Sequence, residues 1–246
     1  MIRLPDGAPA RMQRWQTERD QLAVQLADRQ LTLAGRWRLT WLLGRLNQPQ
    51  EAMAVLMAGL AGWGRDWPEA HAALIGWRVR HGQFGLALAQ ARQSVIACPK
   101  SAGLWYLLAE QLVQSGDLGA AVSALRRCLL WRALETGPER WCPDLEWQPE
   151  VLLARIWLAT DDPRRALSLL GAALGRDSLQ ADWTVLAAVA AVRMDRIGLA
   201  EALLKPLEHG VAPSDRQAFV AGVDDRLAVH AVRTDVRARL LQAFSG

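Results

Sequence analysis

The side chains of this sequence that could carry chemistry are its histidines, acidic pairs and cysteines. None of the four histidines, His71, His81, His209 and His230, stands at helical spacing from a second possible metal ligand. The sequence also contains no G-x-x-x-x-G-K-S/T, G-x-G-x-x-G or G-x-S-x-G motif, so neither a phosphate-binding loop nor a nucleophile elbow is indicated. We therefore expect no catalytic residue, no metal site and no cofactor.

Two acidic pairs could in principle act as general acid and base. They are Asp161-Asp162 and Asp224-Asp225, and both lie where we expect helices to begin. Carboxylates at a helix start accept hydrogen bonds from free N–H groups and complement the helix dipole. This structural role explains both pairs without catalysis.

The cysteines indicate a reducing compartment. Cys98, Cys128 and Cys142 are odd in number and include no C-x-x-C pair, so neither a disulfide framework nor a zinc site is indicated. The first twenty residues lack the apolar run of a signal peptide, and no run has the length of a transmembrane helix. We expect a cytoplasmic location.

The elements that position these residues are best read from the stretch 102–133. Its apolar residues recur three and four apart on both sides of Ser115-Gly116-Asp117, which predicts two amphipathic helices that fold back on each other. Small Ala109 and Ala121 would let the two backbones approach. The larger residues that would fill the surrounding volume are Trp105, Leu112 and Leu125.

This hairpin pattern recurs along the chain. Gly82 precedes Gly116 by 34 residues, and Asp161 and Asp195 are again 34 apart, each followed at fixed distances by alanine and leucine. Asn47 marks a weaker copy upstream. A single hairpin cannot bury its apolar face alone, so a repeated hairpin predicts a stack.

The pattern resembles the tetratricopeptide repeat (TPR), whose first helix carries W-x2-L-G-x2-Y and whose second carries alanine and a closing proline. The resemblance implies an all-α fold, an α-solenoid of antiparallel helix hairpins with a right-handed superhelix, which we expect to cover residues 1–246 as one domain. The implied repeats are 33–66, 68–101, 102–135, 147–180 and 181–214. The implied terminal caps are 1–32 and 215–246.

An insertion separates the third repeat from the fourth, at 136–146. The segment around it contains two prolines and three tryptophans, Trp131, Trp141 and Trp147. It is either a loop that packs back on the stack or a loop that covers the groove or contributes to a contact, since long loops are often functional.

The charge pattern argues against nucleic acid as a partner. The net charge is +4, and nearly all cations are arginine. Arginine and acidic residues are interspersed, whereas nucleic-acid binding needs stripes of one sign with stacking aromatics between them.

The resemblance implies that the first helix of each repeat lines a concave, partner-binding groove. An acidic or aromatic-anchored peptide would suit such arginines and aromatics. The arginine and aromatic residues at these positions differ from the lysines and asparagines that form the clamp of chaperone-binding repeats. The alternative is that Trp37 and Trp41 belong to the core between repeats and that the arginines are merely solvated. Our candidate residues are Trp37, Trp41, Arg45, Arg80, Tyr106, Glu110, Gln114, Arg155 and Arg193, and the other positions carried over are Glu69, Ala72, Gln148, Val151, Asp182 and Val185.

Three functions are compatible with these expectations. The first is a non-catalytic adaptor or scaffold that holds a peptide or partner subunit and aids assembly of a larger complex. The second is a permanent structural subunit whose tryptophan-bearing surfaces, around Trp63, Trp67 and 131–147, are buried by other chains. The third is a scaffold or targeting region that works with a glycosyl- or methyltransferase.

Overall fold

The computed structural model describes residues 8–28, 31–61, 66–134, 148–175, 181–208, 216–230 and 232–242, which form thirteen α-helices and contain no β-strand. The chain divides into two compact units, unit 1 (1–146) and unit 2 (147–246). No helix among the described residues is long and apolar enough to cross a membrane. The insertion 136–146, with Trp141, and also Trp63 and Trp147 lie outside the described residues.

Unit 1 is a series of antiparallel helix pairs that begins with one additional helix. The first helix of each pair packs on its second helix, and that second helix packs on the first helix of the next pair. Helix α4 also packs directly on α6. The helices are α1 (Ala8–Ala27), α2 (Leu33–Arg45), α3 (Pro49–Ala61), α4 (Pro68–Arg80), α5 (Phe84–Ala97), α6 (Ala102–Gln114) and α7 (Leu118–Leu134).

Unit 2 follows the same plan. Helices α8 and α9 pair, α10 and α11 pair, and α10 packs on both α8 and α9. The last two helices repeat the arrangement, because α12 packs on α10 and α13 packs on α11. The helices are α8 (Pro149–Ala159), α9 (Pro163–Leu174), α10 (Ala181–Arg193), α11 (Ile197–Glu208), α12 (Arg216–Val229) and α13 (Thr234–Gln242).

The turn inside each of the first five pairs has one backbone geometry. The second residue after the helix adopts a left-handed conformation, and the next N–H donates to a carbonyl five residues earlier, as from Asp117 to Leu112 at 2.9 Å. This pattern is a Schellman motif, which satisfies the free carbonyls at a helix end. The left-handed residues are Asn47, Gly82, Gly116, Asp161 and Asp195, with φ between 58° and 82°.

Small residues lie where the paired helices approach most closely. Ala109 and Ala121 are both fully buried, as the sequence predicts, and so are Ala87 and Ala91 on α5. In unit 2, residues 187–191 of α10 form a run of buried alanine and valine within one continuous core. An alanine side chain keeps the backbones close, and larger apolar neighbours fill the remaining volume.

The prediction that both acidic pairs begin helices is right for one pair and wrong for the other. Asp162 is the N-cap of α9, and its carboxylate accepts from the Arg165 N–H at 3.2 Å. Asp224 and Asp225 lie well inside α12, because that helix already begins at Arg216. Asp224 instead forms an ion pair with Arg237 of α13 at 3.5 Å.

Candidate partner-binding surface

The candidate surface of unit 1 begins on α2, where periodicity separates two faces. Leu39, Leu42 and Leu43 are buried in the core. Trp37, Trp41 and Arg45 are spaced four residues apart, so they lie on one face of the helix. Trp37 and Arg45 are exposed and Trp41 is half-buried, which places this face at the surface.

Trp37 connects the first two helix pairs. Its ring meets Trp67, the residue that precedes α4, edge to face, with ring centroids 5.9 Å apart and an interplanar angle of 72°. Edge-to-face contact is a preferred geometry for aromatic pairs. Trp37 nevertheless remains 39% exposed, so much of its ring is open to a partner.

Trp41 is the centre of an aromatic and cationic cluster. The guanidinium of Arg38 lies 4.7 Å from the centroid of the Trp41 ring and that of Arg45 lies 5.2 Å from it, while Trp15 of α1 meets the ring edge to face at 5.5 Å. Glu18 of α1 accepts two hydrogen bonds from Arg38, at 2.7 and 2.8 Å. These hydrogen bonds lower the pKa of the Glu18 carboxyl, so it remains charged.

The candidates on α4 and α6 differ in accessibility. Arg80 and Gln114 are exposed, whereas the ring of Tyr106 is 9% exposed and therefore buried. Glu110 lies one turn after Tyr106 and is half-buried. Burial raises the pKa of the Glu110 carboxyl, and a hydrogen bond with Tyr106 offsets part of this rise.

In unit 2 the structure brings two candidate arginines to one histidine. Arg193, the last residue of α10, donates to the backbone carbonyl of Leu158 and, at 3.4 Å, to that of His230. Arg193 thus links the ends of α8 and α12. Burial lowers the pKa of His230, and the positive charges of Arg155 and Arg193 lower it further.

The remaining positions carried over from the resemblance are less open. Ala72, Val151 and Val185 are buried, and Glu69 and Gln148 are half-buried. The side chain of Asp182 lies outside the described part of the chain. Within unit 1, the accessible part of the candidate surface therefore consists of Trp37, Arg45, Arg80 and Gln114, with Trp41 partly covered.

Sequence reasoning missed three contributors to the cluster around Trp41. Arg38 and Arg45 flank Trp41 at helical spacings of three and four residues, so a search of its helical neighbours could have found Arg38. Trp15 and Glu18 come from α1, and no local pattern indicates which side chains of α1 meet α2.

A second concave feature of unit 1 lies between α3, α4 and α5. It is a cleft of about 330 Å³ with mostly apolar walls. At its floor, the buried side-chain amide of Gln90 is hydrogen-bonded to the His71 ring at 3.0 Å. The lining residues are Met57, Leu60, Ala61, His71, Leu74, Arg78, Gln90, Gln93 and Ala97.

The two cysteine thiols that the structure describes are both buried. They are Cys98 and Cys128, and burial raises the pKa of Cys98 to about 11, helped by the nearby negative charges of Asp66 and Glu69. Such a thiol is protonated at neutral pH and is a poor nucleophile. Among the described residues, no three histidine, cysteine or carboxylate side chains converge in a way that could hold a metal ion.

Comparison with known sequences gives no match, either to a family model or to a curated protein. Solved structures do match. The chain aligns with YrrB, described as a TPR protein with an unusual peptide-binding site, at a TM-score of 0.57 and 16% identity over 74% of this chain and 88% of YrrB.

Two further structures match over most of the chain. A tetratricopeptide repeat protein from Parabacteroides merdae aligns at a TM-score of 0.55 and 12% identity, over 93% of this chain and 91% of its own. A chain of the APC/C hetero-tetramer Cut9-Hcn1 aligns at 0.55 and 13% identity, over 94% of this chain and 39% of its own. At these identities the likeness shows the fold alone: this chain is an all-α helical repeat protein with the tetratricopeptide-repeat fold.

Proposed function

We propose that this chain is a non-catalytic scaffold that binds a peptide or partner subunit on the first helices of its hairpins. The observation that carries the proposal is the exposed aromatic and guanidinium face of α2, where Trp37 is 39% exposed and Arg45 lies against Trp41. Tryptophan and arginine are the residues most enriched at the energetic centres of protein interfaces. YrrB, which has a peptide-binding site, and the Cut9-Hcn1 hetero-tetramer are precedents for partner binding by proteins of similar fold.

The chemistry of this face favours a segment that carries carboxylates. Arg45 and Arg80 are exposed on the first helices α2 and α4 of unit 1. Unit 2, taken by itself, also exposes an arginine on a first helix, Arg155 of α8. A guanidinium presents a planar pair of donors that matches a carboxylate, and such a charged hydrogen bond is stronger than a neutral one. The sequence holds three cysteines, an odd number, and no C-x-x-C pair, which favours a reducing compartment, so we place the activity in the cytoplasm.

The proposal is tested by charge reversal on the candidate face. The full chain with Arg45→Glu and Arg80→Glu is immobilised beside the wild type, and proteins captured from the native cell are quantified by mass spectrometry. The matched control is Arg92→Glu with Arg126→Glu, which reverses two exposed arginines on the second helices α5 and α7.

We expect the wild type and the control to retain the same specific proteins, and the Arg45→Glu, Arg80→Glu variant to lose them. A single charge reversal at Arg155, tested separately, reports whether the arginine of unit 2 contributes. Equal capture by all chains would refute the assignment of binding to the first helices.

Exposed apolar side chains favour a second candidate, the permanent structural subunit. Ile96 is 80% exposed at the end of α5, and its chemistry suits burial by another chain. Other large apolar residues that are more than half exposed on the second helices are Met57, Phe84, Leu86, Leu130 and Leu134. Size-exclusion chromatography with light scattering separates the two candidates, because a permanent subunit would aggregate in isolation and a scaffold with a transient partner would remain monodisperse.

A further inference from the structure

Helix α1 contacts Trp41 on the candidate face of α2, in addition to the apolar core at the start of unit 1. Its side chains Trp15 and Glu18 reach Trp41 and Arg38 of α2, at a ring centroid distance of 5.5 Å and hydrogen-bond distances of 2.7 and 2.8 Å. Trp41 is one of the residues that the repeat resemblance assigns to partner binding. The chain therefore already contains one helix, α1, that contacts this face as a bound peptide would.

The attachment of α1 is weak. Of its described side chains, 11–27, none is buried, and only five are even half-buried. Leu22 and Leu26 pack on the core residues of α2 and α3, while the other contacts are the edge-to-face ring pair and polar bonds near the surface. Exposed ion pairs and single aromatic pairs each contribute little, so such a helix can detach reversibly.

We propose that α1 is a removable self-ligand of the α2 face, and that the partner replaces it with a helix of the same chemistry. That helix carries an aromatic residue and, three residues later, a carboxylate, which meet Trp41 and Arg38 as Trp15 and Glu18 do. This spacing puts both side chains on one helical face, which docks into a groove. The inference rests on the proposed function and names its ligand class.

Competition by α1 lowers the apparent affinity of the partner. A partner that needs the open face binds only the fraction of chains in which α1 has detached. Removing both the Trp15 and Glu18 contacts should raise that fraction, and with it the apparent affinity, by about tenfold.

The test uses the full chain and a labelled synthetic peptide with the sequence of residues 8–28. The open variant carries Trp15→Ala and Glu18→Ala. The control variant carries Gln16→Ala and Gln25→Ala, at two exposed positions of the same helix. Fluorescence anisotropy measures peptide binding to each chain, and a second peptide bears the same two substitutions as the open variant.

We expect the open variant to bind the native peptide about tenfold more tightly than the wild type or the control, and to bind the substituted peptide poorly. Equal binding by all chains, or binding by none, would overturn the proposal. Hydrogen exchange gives an independent readout, since the α1 amides should exchange much faster than those of α2. Equal protection of α1 and α2 would show that α1 is a fixed part of the stack.

The peptide experiment does not depend on capturing a natural partner, so the two proposals fail separately. If charge reversal at Arg45 and Arg80 leaves partner capture unchanged while the peptide still binds the open variant, the proposed function fails and the self-ligand stands. If partner capture responds to charge reversal but the open variant captures no more than the wild type, the self-ligand fails and the proposed function stands.

Discussion

Replacing Gly116 by alanine should destabilise unit 1 through backbone conformation alone. Gly116 has φ of +82° and forms the turn between α6 and α7. A Cβ atom added there would meet no atom within 4 Å, so no steric clash contributes. The Gly116→Ala substitution therefore isolates the cost of holding an L-residue in a left-handed conformation.

The magnitude follows from two opposing terms. The left-handed conformation costs an alanine about 1–2 kcal/mol relative to glycine. Alanine also lowers the conformational entropy of the unfolded chain, which stabilises the folded chain by about 0.4–1 kcal/mol. The expected net loss is about 1 kcal/mol in the free energy of unfolding.

Urea denaturation followed by tryptophan fluorescence measures this loss. With a slope of about 2 kcal/mol per molar urea, the transition midpoint should fall by about 0.5 M while the slope is unchanged. The matched control is Gly119→Ala, three residues later in the first turn of α7, where φ is not positive and the added Cβ meets only the Asp117 carboxylate at 4.0 Å. Because alanine is the better helix former, this control should be neutral or stabilising by up to about 1 kcal/mol.

The two glycine substitutions must therefore differ in effect. If Gly116→Ala were as stable as Gly119→Ala, residue 116 would not be left-handed and the assigned turn geometry would be wrong. A loss well above 2 kcal/mol would instead reveal a clash that the open surroundings of Gly116 exclude.

Three further predictions concern titration and packing. Burial raises the pKa of Glu110 above 4.5 in the folded chain, so stability should fall as pH rises past 4.5, and Glu110→Gln should remove this slope in urea titrations at several pH values. Burial lowers the pKa of His230 below 6.5, so stability should fall as pH drops through 6.5, and His230→Gln should flatten that loss in the same assay. Ala121 is fully buried, so Ala121→Leu should overpack the α6–α7 contact and lower the thermal midpoint, at a cost of about 1–3 kcal/mol measured by calorimetry.

The turns were the most predictable part of the fold. Gly82, Gly116, Asp161 and Asp195 share a spacing rule, and all four adopt the left-handed conformation that glycine and aspartate tolerate best. Spacing was informative because one backbone geometry recurs in the turns of the first five helix pairs. The weaker copy at Asn47 has the same geometry, since asparagine also tolerates it.

Capping signals in the sequence were less informative where tertiary packing determines the start of a helix. Asp224 and Asp225 predicted a helix start. Helix α12 instead begins eight residues before Asp224, and it buries Val223 and Leu227 against the core of unit 2. Capping preference is worth about 1 kcal/mol, which burial of two large side chains can exceed.

Helical spacing could predict which candidate residues share a face of α2, but not which of them are accessible. The repeat resemblance assigned Trp37, Trp41 and Arg45 to one surface, and their four-residue spacing puts them on one face of α2. Spacing alone could not indicate that Tyr106 is buried, because periodicity does not reveal what covers a face. Nor could it pair Glu18 with Arg38, since those residues lie 20 apart in sequence and meet only through the packing of α1.

The short range of the helix contacts has a mechanical consequence. In unit 1 the main contacts join helices that are consecutive in the chain. Among these main contacts, the one between α4 and α6 skips a single helix. A load that pulls the ends of this unit apart is then borne by one hairpin interface at a time. Under tension unit 1 would lengthen in steps, each releasing one hairpin, instead of rupturing once at a single high force.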